Sequence, residues 1–443
     1  MRSMWLKKRI VAENLRVIAD LHIHSCYSRA TSKRMHIQEI ARFAKIKGLN
    51  IIGTGDFTHP KWLREMQETL VEEPGADLYK VAKTPESHVY FMITTEVSTM
   101  FTYENSVKKI HHVILTPSIE TAVQINNRLS KYGSLTVDGR PTLNMNAPHL
   151  VEEVMEASNR NMIFPAHVWT PWFSLFGAFS GFNSVKECYQ DMTKHIHALE
   201  TGLSSDPPMN WRLSKLDKFT LVSNSDSHSF WPWRIGREAN VFELKKLSYR
   251  EVTDTIRLKD KERFKLTIET NPAYGKYHWT GHRHCNVALS PQEAIKFGNI
   301  CPVCRRKLTK GVEQRVEELA DRPAGFKPEN AIGFMRLLPL SEVIASVSGV
   351  SSPFTQKVWT IYNELIEKFG NEYTVVMEAS KQALTKVVDE KVAEAIIRVR
   401  EGKAKVIPGY DGVYGKLIIF EENFHSEPAP ERVQQLNLTD FMR

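Results

Sequence analysis

No stretch of the chain reaches the roughly 18 consecutive apolar residues that a bilayer-spanning helix requires. The opening segment MRSMWLKKRIVAENLRVIAD is basic but lacks the apolar core of a signal peptide. These absences predict a soluble cytoplasmic protein with no membrane partner. There is no GxxxxGK[ST] phosphate loop, which excludes a motor of the helicase type. Cysteine is scarce, 5 in 443 residues, and three of the five gather at Cys285, Cys301 and Cys304. That usage suits a reducing compartment in which clustered thiols bind metal.

At 443 residues and 42% hydrophobic content, the chain exceeds what one core usually organises, and two or three domains are expected. Lys and Arg outnumber Asp and Glu by 59 to 51, and the pI is about 9.0, a balance that fits a polyanionic partner. From Arg16 to about Leu244, seven short apolar runs rich in β-branched and aromatic residues recur, among them RVIADLHI, LNIIGTGDF and NMIFPAHV. Amphipathic helical stretches such as MHIQEIARFAKIKG lie between them. Strands alternating with helices predict an α/β fold with a parallel sheet, and seven of them predict a barrel.

The metal-capable residues follow those strands. His22 and His24 lie two apart, so they share one strand face and can reach one ion. Asp56, Glu96, His167, Asp226 and His228 likewise fall at or just past predicted strand ends, the rim on which parallel barrels carry their active sites. Further on, His282-x-x-Cys285 and Cys301-x-x-Cys304 have the spacing of a zinc ribbon, with His284 as an alternative to His282. Four N and S donors around zinc would close a module too small to bury an adequate core. Beyond Val312 apolar residues recur at helical spacing with Lys and Arg opposite, predicting a helical, DNA-contacting domain. The expected units are thus a barrel over 16–246, a zinc module over 268–312, an all-α domain over 313–415 and a tail over 416–443.

The stretches DLHIHSCYSRATSK, GTGDFTHP, PAHVWTPWFSLFG and SNSDSHS resemble motifs of the PHP (polymerase and histidinol phosphatase) superfamily of metal-dependent phosphoesterases. With GHRHCN, CPVC and a helical C-terminal region behind them, the chain resembles more narrowly the endonuclease Q family of DNA repair enzymes. The resemblance implies a seven-stranded (β/α)7 PHP barrel with a multinuclear centre. One ion would take His22, His24, Glu96 and Asp226, while Glu96 bridges to a second held by His167 and a strand-four histidine. HHVILTP offers His111 and His112 for that place, and the family pattern favours His111. Phe57 follows Asp56 where many relatives have a histidine, which leaves Asp56 and His228 as the expected members of a third site, with His59 as a lesser candidate. The ions, Zn, Mn, Fe or Mg, would activate a water and neutralise charge on the phosphoryl oxygens. Cleavage would fall 5′ to uracil, hypoxanthine, xanthine or an abasic site and leave a 3′-hydroxyl and a 5′-phosphate. Trp169, Trp172 and Phe173 are expected to wall a pocket for the extruded nucleotide. A small-molecule phosphatase is the alternative expectation. At the tail, QQLNLTDFM resembles the PCNA-interacting peptide, with Gln435, Leu438, Phe441 and Met442 as anchors on a sliding clamp. The protein is expected to be monomeric alone.

Overall fold

The structure is a computed structural model, and it describes residues 14–84 and 87–420. The predicted clamp-binding residues Gln435, Leu438, Phe441 and Met442 lie outside the described residues.

β1 (Leu15–Asp20) leads through a loop into α1 (Ile37–Lys47), whose buried Ile37, Ile40, Ala41 and Ala44 recur at helical spacing. Gly48, in the left-handed region at φ 97°, ends α1 by donating its N–H to Ala44 and Lys45 carbonyls, and the chain turns into β2 (Ile51–Gly53). β3 (Leu70–Glu73) and β4 (Leu78–Val81) form a hairpin at one sheet edge. β5 (Tyr90–Tyr103), β6 (Ser106–Thr116), the short β7 (Thr142–Leu143), β8 (Met162–Pro165), β9 (Ala198–Glu200) and β10 (Thr220–Val222) follow. β1, β2 and β5 pair in parallel, and β9 pairs in parallel with β10. Single parallel bridges, Ile163 with Ile196 and Ile23 with Ser227, join β8 towards β9 and carry the last strand back beside the first.

β6 departs from the all-parallel expectation. It runs antiparallel to both β5 and β8. Only Glu104 and Asn105 separate β5 from β6, both with positive φ (44° and 61°), the geometry of a two-residue hairpin turn. A parallel neighbour would need a crossover of a dozen residues or more. The pairing places Ser98 opposite His111 and Glu96 opposite Val113, bringing the ligand candidates of both strands to one place.

The sheet also continues past the expected barrel boundary. β11 (Ala239–Leu244) pairs antiparallel with β1, and β12 (Phe264–Glu269) pairs with β11. After the small hairpin β13 (Thr280–His282) and β14 (Val287–Leu289), β15 (Gly333–Arg336) returns to pair in parallel with β12. The cysteine-bearing module is therefore inserted between two neighbouring strands of the main sheet. The C-terminal region is not all-α either: helices Leu340–Val347, Gln356–Phe369 and Glu390–Arg400 are followed by a hairpin of β16 (Lys405–Ile407) and β17 (Lys416–Ile418). One continuous apolar core holds barrel residues such as Ile18 and Phe43 together with Leu340, Tyr362 and Val399.

Glu238 and Glu269 are fully buried carboxylates. Burial raises Glu269 to about 8, aided by the charge of Asp206 and opposed by hydrogen bonds from Thr267 (2.6 Å) and Thr201 (3.1 Å). An unfolded Glu titrates near 4.3. The native state therefore holds this proton more tightly than the unfolded chain, and the stability it contributes is lost as pH rises from about 4.5 through about 8. Thermal unfolding should show the midpoint falling over that window in the wild type and falling less in Glu269→Gln; parallel pH profiles would refute the assignment.

Candidate active site

Two donor sets meet at Glu96. His22, His24, Glu96 and Asp226 bring one ligand atom each to within 4.8 Å of one another, and Glu96, His111 and His167 do the same. Glu96 Oε2 lies 3.2 Å from His24 Nε2 and 3.6 Å from His22 Nε2, while its Oε1 lies 2.9 Å from His111 Nδ1 and 3.1 Å from His167 Nε2. Asp226 Oδ1 is 3.0 Å from His24 Nε2 and 3.5 Å from His22 Nε2. His167 and Asp226 take positive φ (29° and 47°), as does Asp56 (49°), so the chain bends sharply where each strand hands its side chain to the site.

The remaining ring nitrogens explain the aim of the histidines. His22 Nδ1 sits 3.1 Å from both carboxylate oxygens of Glu200, and His24 Nδ1 lies 3.0 Å from Asp56 Oδ1. A carboxylate on Nδ1 fixes the tautomer with Nε2 free to bind an ion. His22 Nε2 is buried with no hydrogen-bond partner, which is the condition of a donor awaiting a cation. Asp56 thus stands behind His24. Its other oxygen accepts from the Ser25 N–H and hydroxyl (2.6 Å each) and from the Ser28 hydroxyl (2.9 Å), so it is not available as the ligand that the sequence suggested. His228 stacks on His24 at 4.4 Å, with Nδ1 held by the Thr31 hydroxyl at 2.6 Å; burial and the neighbouring His24 push it down to about 4. Among the described residues, Asp56 and His228 do not assemble a third donor set.

Electrostatics point the same way. Burial would lower His22, yet Glu200, Asp226 and Glu96 hold it well above its ordinary value; His24 is raised against burial by Asp56, Asp226 and Glu96. Burial would raise Glu96, but His111, Arg140 and His22 hold it well below the usual carboxylate range. Four carboxylates, Glu96, Asp226, Asp56 and Glu200, converge on a centre that demands positive charge. The donor set of imidazole and carboxylate fits divalent ions.

His111 and His112 separate cleanly. His112 is turned into the interior between the hydroxyls of Thr99 and Tyr189, both at 2.9 Å, and burial pushes it down to about 3. Two participants escaped the sequence reading. Glu200 ends β9 in ALETG, at the same rim as the ligands, and that position was its signal. Arg140, whose Nη1 lies 2.9 Å from Glu96 Oε2, comes from a loop that no strand end marks.

The centre floors an open cleft of about 530 Å³. Trp172, Phe173, Tyr274, Tyr277 and Tyr414 line it, together with Arg234 and Lys276. Trp172 stacks on Phe179 at 4.9 Å and meets Tyr277 edge-on at 5.2 Å. Trp169 is not a wall residue. It is 1% exposed, and its indole N–H donates to Asn210 at 2.8 Å, so it belongs to the core under the loop.

In the cysteine module, His282, Cys285, Cys301 and Cys304 also converge within 4.8 Å, with His282 Nδ1 3.3 Å from Cys304 Sγ. His284 stays outside the set. The tight turn after Cys301, with its N–H on the Arg306 carbonyl at 2.8 Å, brings Cys304 back under Cys301. Val287, Cys301 and Leu308 are the module's buried core, too small to hold it unaided.

Comparison with known proteins places these features. A crystal structure of PfuEndoQ from Pyrococcus furiosus, described as a novel lesion-specific endonuclease, superposes with a TM-score of 0.82 at 33% identity, over 94% of this chain and 98% of that one. A structure of endonuclease Q in complex with a 27-mer duplex carrying an abasic lesion at the active site matches with a TM-score of 0.81 at 33% identity, over 93% of this chain and 98% of that one. Among curated sequences, the uncharacterized MJ0043 of Methanocaldococcus jannaschii is 35% identical over 261 residues, 56% of this chain but only 31% of that protein. The uncharacterized YqxK of Bacillus subtilis is 26% identical over 416 residues, 91% of this chain and 99% of that protein. The family model of the MJ0043 C-terminal domain matches residues 339–403.

Proposed function

The chain belongs to the endonuclease Q family, and from that premise we propose that it is a metal-dependent DNA endonuclease which cuts the phosphodiester 5′ to a deaminated base or abasic site. The observation that carries this reading is the sharing of Glu96 between two donor sets at the floor of a cleft walled by aromatic rings. Bound divalent ions would supply a water of lowered pKa and neutralise charge on the phosphoryl oxygens. His22, His24, Glu96 and Asp226 would hold one ion, and Glu96, His111 and His167 the second, within a (β/α)7 PHP barrel. Glu200 and Asp56 keep the imidazoles aimed. Trp172 and Phe173 offer flat apolar faces on which an extruded nucleotide stacks, independent of base identity. Arg234 and Lys276 in the cleft lining, in a chain of formal charge +8, attract the backbone. A sliding clamp (PCNA) is the second partner in this reading, bound through Gln435, Leu438, Phe441 and Met442, and the setting is cytoplasmic.

The deciding assay incubates the protein with duplexes carrying uracil, hypoxanthine, xanthine or an abasic site, beside undamaged duplex and phosphorylated metabolites. Nicking only of the lesion strands, with a 3′-hydroxyl and a 5′-phosphate at the break, is expected. Phosphate release from a metabolite with no nicking would instead favour a small-molecule phosphatase.

The module His282, Cys285, Cys301 and Cys304 is read as a structural zinc site, closed by four protein ligands. Cys301→Ser should lose one zinc per chain and unfold at lower temperature, whereas mild chelation of the wild type should inactivate it before that zinc leaves. Full zinc content and unchanged melting in the variant would overturn the assignment.

A further inference from the structure

We propose that Arg140 binds a non-bridging oxygen of the scissile phosphodiester, acting as a catalytic residue beside the ions. The inference rests on the endonuclease reading and adds to it the protein group that meets the substrate's charge.

Arg140 is held in place from both sides. The Gly139 N–H donates to the Tyr27 carbonyl at 3.1 Å, and the Thr58 hydroxyl donates to the Gly139 carbonyl at 3.1 Å. A Cβ on Gly139 would collide with the Asp56 carboxylate and the Ser28 hydroxyl, so only glycine lets this loop lie against the segments bearing His24 and Asp56. On the other side, the Ser98 N–H donates to the Pro141 carbonyl at 2.9 Å, and β7 pairs with β5 just beyond Glu96. The backbone thus fixes Arg140 to the segments that carry His24 and Glu96, and to the Asp56 loop that stands behind His24.

The side chain is one-quarter exposed and lines the cleft. Its one acceptor among the described residues is Glu96, reached through Nη1, although a guanidinium carries five N–H donors in a rigid planar fork. The other donors belong to a side chain that lines the cleft, within reach of a bound anion. A fixed cation 2.9 Å from the shared ligand weakens that carboxylate's hold on a divalent ion, which is a liability unless an anion enters the same space. A phosphodiester is such an anion, and its non-bridging oxygens gain charge as the nucleophile adds. Arg237, the other cation near the floor, is already committed to Glu342 at 3.2 Å and the Thr270 hydroxyl at 3.3 Å.

The test uses full-length protein and a lesion duplex whose linkage 5′ to the lesion is either the ordinary phosphodiester or a neutral methylphosphonate. Arg140→Met should keep its fold and metal content yet nick the ordinary duplex about 10²- to 10³-fold more slowly, the cost of losing one preorganised donor. Arg140→Lys should recover part of the rate. In binding to the metal-loaded protein, measured by rapid mixing before turnover, the wild type should prefer the charged linkage, and Arg140→Met should show that preference reduced about tenfold, as loss of a charge-assisted contact requires. Loss of the ions from Arg140→Met, or equal discrimination by wild type and variant, would overturn the proposal and reduce Arg140 to a positioner of Glu96. A wild type that nicks no lesion duplex would overturn the endonuclease reading itself, a different result from wild-type nicking that survives the substitution.

Discussion

Glu96→Gln should slow nicking of lesion-containing duplex by about 10⁴-fold or more while the protein keeps its fold. The amide matches the carboxylate in shape, so the buried position stays filled. What changes is charge and donor chemistry. Both oxygens of Glu96 are in use, Oε2 towards His22 and His24 and Oε1 towards His111 and His167. An amide presents N–H hydrogens to one of those sets and no negative charge to either. No other residue of the centre touches both sets, so a single substitution should empty two ion positions where Asp226→Asn weakens one. The fold should persist, because the histidines facing Glu96 can give up a proton once its charge is gone and Arg140, one-quarter exposed, keeps access to water. Metal analysis of purified protein together with single-turnover nicking checks the expectation. Full occupancy with wild-type nicking would show that Glu96 is not the shared ligand.

The largest effect on stability is expected at Lys47. Its ammonium, 3% exposed, pairs with Glu372 at 2.7 Å and donates to the Pro232 carbonyl at 2.8 Å. Glu372, 1% exposed, also accepts from the Tyr362 hydroxyl at 2.8 Å and the Leu340 N–H at 3.0 Å. Replacing Lys47 by Met keeps the volume of the stem but strands a carboxylate in the interior. Removal of one partner from such a pair costs about 3–5 kcal/mol, whereas replacing both by apolar residues is often close to neutral. Denaturant unfolding should therefore show Lys47→Met strongly destabilised, and Lys47→Met combined with Glu372→Leu should regain much of the loss. If the double variant is as unstable as the sum of the two single ones, the pair is not coupled. Nicking should fall as well, since Pro232 belongs to the loop that leaves Asp226 and His228.

Strand ends in the sequence located most of the centre because the rule that puts functional residues on a barrel rim depends only on where each strand stops. His22, His24, His167 and Asp226 obey it, whereas Glu96 sits mid-strand, because β5 runs on to Tyr103 in its hairpin with β6. Arg140 does not, because its place is fixed by a loop folding back across the rim, and contacts such as Gly139 against Asp56 carry no local signal. Asp56 obeys the rule but lies one layer out, since its role is decided by which histidine nitrogen it meets. Trp169 and Trp172 occupy the same aromatic stretch, and only burial sorts the core residue from the wall. The direction of β6 was written in Glu104-Asn105, a turn pair between two apolar runs that read more readily as separate parallel strands. The continuity of the sheet from β12 to β15 was hidden by the cysteine module between them, because strand pairing over such a distance leaves no periodicity to follow.

The bond between Lys47 and Glu372 spans 325 positions of sequence, and that distance sets an order of events. During synthesis α1 emerges early, with a lysine at its end whose one charged partner among the described residues, Glu372, has not yet been made. Until Glu372 arrives with the region of 339–403, that lysine must remain hydrated. Contacts of this reach form late and slow the search for the native state, leaving the nascent barrel exposed to proteases and to its own kind for as long as translation lasts. The matched C-terminal region thus acts on the preceding α/β region as a final closure of the polypeptide's assembly.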